Sequence, residues 1–465
     1  MLCKKCHHCG LCQGDGTFIP QENMLIVKEA QLSPSFTNKI NNNYPSNALG
    51  MAFDIGTTTI AYSAYSLNAG TKLYSAGEVN EQISFGSDVI ARMSYASSDK
   101  GFAKLKNTLT TQIQRIIQRV LGELQFQAQV MRKARFYLAS LIFTGNTVMQ
   151  SFLTGTDITP LSTWPFTPKS LFGKYYSVKD IFAENTIIPP SCKIFVTPAI
   201  SAFIGGDCVS AMLVCNFATE KPSQKYFFLV DIGTNCEMAV YNSKKNTILC
   251  TSSAAGSAFE GQGIEYGMRA SEGAIAKVSI NNGNILCNTI GNYKAKGICG
   301  TGLLSAVCEF YKKGIINEHG TYRKDIEKIE LQDGIYLSQK DIRAFQLAKA
   351  AVNSGLNKLY NKMLSVEEDK ISSKDFVLYL AGGFGTYLNE KDAISVGMFP
   401  FNIEENIIHA GNAALTGAEM QLLCNDYIQK GLDIAKNAQS INLAEESDFQ
   451  ELYINALNLG DRREK

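Results

Sequence analysis

The sequence predicts an α/β protein of two related lobes, with a small cysteine-rich segment ahead of them. Three observations carry this prediction. A strand–turn–strand phrase containing Asp-Ile-Gly-Thr occurs twice, at Asp54 and again at Asp231. A third apolar run, FVLYLA, leads into Gly382, Gly383 and Gly385. Cysteines stand at positions 3, 6, 9 and 12 of MLCKKCHHCGLC, and the next is Cys192.

At 465 residues the chain exceeds one ordinary domain. Its 45% hydrophobic content rules out wholesale disorder. A net charge of +1 gives no electrostatic footprint for nucleic acid or an anionic membrane. No apolar run reaches the ~20 residues of a spanning helix, and the polar start is not an apolar signal region. The expected location is cytoplasmic, where thiols stay reduced or bind metal.

The opening segment, residues 1–16, comes first. Each Cys-x-x-Cys step turns backbone amides toward the sulfurs while the thiolates converge. Three thiols at this spacing match the grip of bacterial-type ferredoxins on a cubane. Cys3, Cys6 and Cys9 are therefore expected to hold a [4Fe–4S] cluster, with zinc or a metal-free redox role as alternatives. Zinc ribbons usually separate their pairs by ~15–20 residues. Cys3-Lys-Lys-Cys6-His7 also spells a c-type haem attachment, but without an export signal. In ferredoxin runs the fourth cysteine lies three residues on, precedes proline and serves a second cluster. Here Cys12 follows after two residues and precedes Gln13, so it is read as the fourth ligand of the same cluster. His7 and His8 are read as solvated neighbours. The later cysteines stand singly in apolar text and read as small buried hydrophobes.

Residues 17–48, which include QLSPSFTNKINNNYPSN, are polar and aperiodic and read as a linker. The first lobe is placed at 49–222 and the second at 223–465. In the first, LGMAFDIGTTTIAYSAY reads as strand, tight turn and returning strand. KLKNTLTTQIQRIIQRVLGEL carries Leu105, Leu109, Ile113, Ile116, Val120 and Leu124 at helical spacing and reads as a core helix. Trp164, in STWPFTPKS, is expected to be buried. In the second lobe, FFLVDIGTNCEMAVY repeats the strand–turn–strand phrase. Residues 342–363 place Ile342, Phe345, Ala348, Val352, Leu356 and Leu359 on one helix face. The charged C-terminal stretch reads as a terminal helix.

The turn chemistry is that of phosphate. Glycine lets the backbone approach closely, while amides and Thr hydroxyls supply donors. An aspartate at the strand end can hold Mg²⁺ through water or orient an attacking water. The candidate residues are Asp54, Gly56, Thr57, Thr58 and Thr59 in the first turn, and Asp231, Gly233, Thr234 and Asn235 in the second. No GxxxxGK[ST] is present, so this is not a P-loop. Gly382, Gly383 and Gly385 would let a loop lie flat against a nucleoside. Asp207 and Glu260 follow glycine-rich turns and are candidates to touch metal or water, whereas His319 and His409 read as structural.

Together these phrases resemble the phosphate and adenosine motifs of the acetate and sugar kinase, heat-shock chaperone and actin superfamily. PAISAFIGGDCVSAML and GNAALTGAEMQLL resemble its two connecting helices. FDIGTTTIA, EQISFGSDVIARM, GNTVMQSFLTG, VDIGTN, AAGSAFEGQGIEYGM and GICGTGLL then follow in the order seen in reductive activators of corrinoid proteins. The resemblance implies a two-lobed actin-like ATPase fold of duplicated ribonuclease-H-like lobes, to which the cysteine spacing adds a small N-terminal iron–sulfur segment. It implies ATP and Mg²⁺ as cofactors and a corrinoid protein or methyltransferase as client. The activity implied is ATP-driven delivery of an electron from a low-potential donor to cob(II)amide. No nucleic-acid or membrane partner is expected, from the near-neutral charge and the lack of a spanning run, and a homodimer is left open. The front of the chain departs from the family: well-known members carry a plant-type [2Fe–2S] domain too large for about 48 residues, so the client is left open. The alternatives are an activator of another low-potential metalloenzyme, a small-molecule kinase with structural zinc, and a nucleotide sensor without catalysis.

Overall fold

The computed structural model describes residues 24–25, 44–132, 134–183, 186–217, 222, 224–323, 326–364, 373–400 and 406–460. The cysteine segment 1–16 lies outside the described residues, as does most of the expected linker. The chain forms two compact units. Unit one holds the described residues up to Val214 together with Ala413–Asn437, and unit two holds Cys215–Asn412 and the residues from Ala438 onward. A contiguous cut at 222 therefore differs from the compact units chiefly in the 413–437 segment, which folds with unit one.

Unit one is built on strands β1 (Met24–Leu25), β2 (Ala48–Ile55), β3 (Thr59–Ser66), β4 (Thr71–Val79), β5 (Tyr137–Gly145), β6 (Lys174–Tyr176) and β7 (Lys193–Val196). Their order is β1-β4-β3-β2-β5-β7-β6. Thus two residues inside the expected linker pair with β4 at the sheet edge. β2 runs antiparallel to β3 and parallel to β5. Its sequence ALGMAFDI is buried along almost its whole length, as a strand covered on both faces requires. Alternation sorts its side chains. Met51, Phe53 and Ile55 pack in one core with the Asp99–Val130 helix, which buries Leu105, Leu109, Ile113, Ile116, Val120 and Leu124. Ala48 and Ala52 join Leu415, Ala418 and Leu422 of the Ala413–Leu423 helix in a second core.

That helix is buried all round, as its mostly apolar sequence suits, although it also buries Thr416, Glu419 and Gln421. It lies so close to the Gly206–Val214 helix that a Cβ on Gly417 would stand 1.9 Å from the Ser210 carbonyl oxygen. Gln421 ties the pair, its Nε2 donating to Ser210 Oγ at 3.1 Å and its Oε1 accepting from Thr197 Oγ1 at 3.2 Å.

Unit two repeats the plan with β8 (Tyr226–Ile232), β9 (Asn235–Asn242), β10 (Thr247–Ala254), β11 (Ala274–Asn281), β12 (Asn284–Thr289), β13 (Gly297–Ile298), β14 (Lys328–Gln332), β15 (Ile335–Ser338), β16 (Phe376–Ala381), β17 (Ile407–Gly411) and β18 (Ala438–Ser440). Its main sheet runs β17-β16-β8-β9-β10-β18. β8 is antiparallel to β9 and parallel to β16, as β2 is to β3 and β5. The core series β10-β9-β8-β16-β17 therefore matches β4-β3-β2-β5-β7, so the duplication is one of topology as well as of phrase. The Gln339–Leu364 helix buries all six side chains that its period assigned to one face. The Phe449–Ala456 helix is the last element among the described residues. Ion pairs from Lys358 to Glu446 and Asp448 hold its approach, and Lys349 Nζ donates to the Asn458 carbonyl at 2.6 Å.

One expectation fails in unit one. Trp164 is 67% exposed rather than buried. Phe166, at φ 55°, closes a turn through its N–H to the Thr163 carbonyl at 2.7 Å. The indole rests edge-on against the Phe166 ring, 5.9 Å away at 89°, instead of entering a core.

Candidate functional site

The first turn begins where β2 ends. Ile55 pairs with Ile60, leaving residues 56–59 to reverse the chain. Gly56 N–H donates to the Thr59 carbonyl at 2.9 Å, and a Cβ on Gly56 would stand only 2.7 Å from that oxygen. Buried Asn80, directly after β4, grips the turn twice. Its backbone N–H donates to the Thr58 carbonyl and its Nδ2 to the Gly56 carbonyl, each at 2.9 Å.

Asn146 follows β5 and caps the Thr147–Thr154 helix, its Oδ1 accepting from Met149 N–H at 3.0 Å. The cap fixes the amide, so Nδ2 is the atom that donates to Thr57 Oγ1 at 3.1 Å. Gly205 backs this residue closely: a Cβ there would lie 2.5 Å from the Asn146 Cα. Two residues on, Asp207 accepts from the Cys208 N–H at 2.8 Å. Burial pushes its carboxyl up to about 6 from the ordinary 3.8.

The second turn is one residue shorter. Ile232 pairs with Cys236, and Gly233 N–H donates to the Asn235 carbonyl at 3.1 Å. The chain after β10 closes on it through Gly256 N–H to the Thr234 carbonyl at 2.9 Å. Here the threonine has a different partner. Thr234 Oγ1 donates to Glu260 Oε2 at 2.6 Å, within the short range of an O–H···O⁻ bond.

The glycine loop meets this turn from the neighbouring strand. β16 lies beside β8 with Ala381 opposite Asp231. Gly382 then adopts φ 79°, and a Cβ there would stand 2.4 Å from Asp231 Oδ1. Glycine is required at this position for both its conformation and its close approach. Gly383 is open, with nothing within 4 Å of an added Cβ. Phe384 stacks on Phe259 at 4.4 Å and 15°, joining the loop to the residue beside Glu260. Beyond it, the Gly385 carbonyl is 2.7 Å from His409 Nδ1, whose Nε2 is 2.9 Å from Glu390 Oε1. His409 thus has a structural setting.

The structure therefore brings Gly56, Thr57, Thr58 and Thr59 into one turn at the end of the strand carrying Asp54. It brings Gly233, Thr234 and Asn235 into another, with Gly382 against Asp231. Sequence reasoning passed over Asn80 and Asn146. The signal for Asn146 was its place before Thr147 at the start of an apolar helix, where a cap is expected. Asn80 had no signal beyond following a strand.

Cys3, Cys6, Cys9 and Cys12 lie outside the described residues. The nine described cysteines are free, and all but the half-buried Cys287 are buried. Among the described residues no group of three or more His, Cys, Asp and Glu could hold a metal ion. Mg²⁺ needs no such cage, since it keeps several waters and takes one or two carboxylates with phosphate oxygens. Asp231 and Thr234 each offer oxygen alone, a donor type that suits that ion rather than a softer one. No helix among the described residues is long and apolar enough to cross a membrane.

A lobe of three antiparallel strands crossing to two parallel ones, present twice with a Gly-Thr turn in each, defines the actin-like ATPase fold. The chain belongs to the family of reductive activators of corrinoid proteins: residues 225–465 match the C-terminal ASKHA domain of RACo, and residues 49–220 match the RACo middle region. The corrinoid activation enzyme RamQ of Eubacterium limosum is 29% identical over 462 residues, covering 91% of this chain and 73% of that protein. The [Co(II) methylated amine-specific corrinoid protein] reductase of Methanosarcina barkeri is 28% identical over 365 residues, covering 71% of this chain and 64% of the reductase. A solved structure of a reductive activator for corrinoid,iron-sulfur protein superposes with a TM-score of 0.74 at 28% identity, covering 90% of this chain and 67% of that one.

Proposed function

We propose that this protein uses ATP to drive one electron onto the cob(II)amide of a corrinoid methyl-transfer protein, restoring the cob(I)amide nucleophile. The observation that carries the reading is the family match across both units, with a glycine–threonine turn formed at each corresponding strand end. Each turn supplies backbone amides suited to phosphoryl oxygens, and the first adds the Thr57 hydroxyl, whose proton its bond from Asn146 leaves unused. Gly382, Gly383 and Gly385 form the loop proposed for adenosine. Asp54 and Asp231, each at the end of its own strand, are the proposed water-mediated ligands of Mg²⁺, which would supply neutralisation of developing phosphoryl charge. Cys3, Cys6, Cys9 and Cys12 are the proposed ligands of a [4Fe–4S] cluster, which would supply the low-potential electron.

The energetic role of ATP follows from the size of the task. For a one-electron step, each ~59 mV of uphill potential costs about 1.4 kcal/mol. A nucleotide that binds two conformations unequally can shift a docked partner toward a reducible form by its difference in affinity. The test is anaerobic: mix the protein, a low-potential reductant and a corrinoid protein, then follow the visible spectrum with and without ATP. Cob(I)amide should appear only with ATP, and Asp231→Ala should abolish most of the rate, since losing a group that stabilises transition-state charge costs a few kcal/mol. Equal reduction without ATP would overturn the reading.

A further inference from the structure

The two threonines that follow the turn glycines carry opposite hydrogen-bond polarity. Thr57 Oγ1 accepts from Asn146 Nδ2 at 3.1 Å, with the amide oriented by its cap bond to Met149. Its own proton is not used in that bond, so it can donate to an acceptor such as a phosphoryl oxygen. Thr234 instead spends its one proton on Glu260 Oε2 at 2.6 Å. An ionised carboxylate only accepts, so what Thr234 then offers outward is oxygen lone pairs. Lone pairs repel a phosphoryl oxygen and attract a water proton or a cation.

From this polarity we infer that Glu260 is a positioning residue: it holds Thr234 as an acceptor for water, either free or in the shell of Mg²⁺, and bars it from donating to phosphate. The inference rests on the nucleotide reading of the site. Glu260 is well placed for the task. It ends the Ala258–Glu260 turn, and Gly261 follows at φ 73° with no room for a side chain, since a Cβ would lie 1.9 Å from the Met268 carbonyl. Its neighbour Phe259 is clamped on Phe384 of the glycine loop. Glu260 Oε1 lies 3.5 Å from where a Cβ on Gly233 would stand, so the carboxylate borders the backbone of the turn itself. With the backbone on either side of it constrained and its carboxylate bonded to Thr234, Glu260 sets the direction of that hydroxyl.

The experiment compares binding with turnover in the full chain. ADP binding is titrated in EDTA and again with Mn²⁺, whose bound fraction is read by electron paramagnetic resonance, and ATP turnover is measured against Mg²⁺. Glu260→Ala and Thr234→Val should bind ADP in EDTA as the parent does. Both should weaken Mn²⁺ binding to the ADP complex, raise the Mg²⁺ needed for half-maximal turnover, and lower kcat by about tenfold to a hundredfold, the scale of a lost charged hydrogen bond. Glu260→Gln, which still offers an accepting oxygen, should recover part of each loss. Thr57→Val should do the reverse and weaken ADP binding in EDTA, by roughly threefold to tenfold for a lost neutral hydrogen bond. If Thr234→Val weakens ADP binding in EDTA as much as Thr57→Val does, Thr234 is a phosphate donor and the inference falls. If Glu260→Ala melts as the parent does but shifts neither metal binding nor kcat, the inference also falls. A parent chain that binds no ADP at all would remove the nucleotide reading itself, a distinct result that takes the inference with it.

Discussion

Asp207 holds a carboxylate at a position where burial favours the proton. Its folded value near 6 lies above the ordinary 3.8, so the fold disfavours the charged form. Below about pH 4 both folded and unfolded chains carry the proton, and the group costs nothing. Between about pH 4 and 6 the unfolded chain ionises while the folded one keeps its proton, so the penalty grows across that window and is complete once pH has passed 6. Asp207→Asn should therefore stabilise the protein by about 1–3 kcal/mol at pH 8 and scarcely at all near pH 4. Denaturant titrations at the two pH values check this, and an equal effect at both would contradict it. At this scale the sequence made the turn residues legible because glycine and threonine have narrow uses beside a strand-end aspartate. It could not show that Thr57 faces an amide and Thr234 a carboxylate. Asn146 and Glu260 reach them from distant stretches of chain, and nothing local in either phrase records the pairing.

The strand-to-helix junction at Ala381–Gly382 is the element on which the second turn leans. Gly382 combines φ 79° with a Cβ position 2.4 Å from Asp231 Oδ1 and 2.9 Å from the Ile232 carbonyl. Gly382→Ala should lose about 1–3 kcal/mol of stability through backbone strain and displacement of Asp231. Gly383→Ala, one position on in open space, should melt within about 0.5 kcal/mol of the parent. Thermal unfolding of the pair checks the contrast, and equal losses would refute it. The long helices were the most legible elements, because their apolar period survives any tertiary context: all six residues assigned to one face of the Gln339–Leu364 helix are buried. The surface loop around Trp164 was not legible. Aromatic content argued for burial there, while the turn closed by Phe166 leaves the indole outside.

For the whole molecule, the repeated phrase gave the duplication, and the matched strand orders of the two sheets give its physical form. The membership of the 413–437 segment was hidden, since only long-range packing such as Gly417 against Ser210 assigns it to unit one. In the proposed function one chain couples ATP use to electron delivery through its opening cysteines. The most direct measurement follows ATP hydrolysis and corrinoid reduction in the same anaerobic sample, for the parent and for Cys6→Ser. The parent should form cob(I)amide only with ATP. Cys6→Ser should keep ADP binding and the melting behaviour of both units while cob(I)amide formation is lost. Corrinoid reduction that proceeds at the parent rate in Cys6→Ser, or without ATP in the parent, would contradict the coupling.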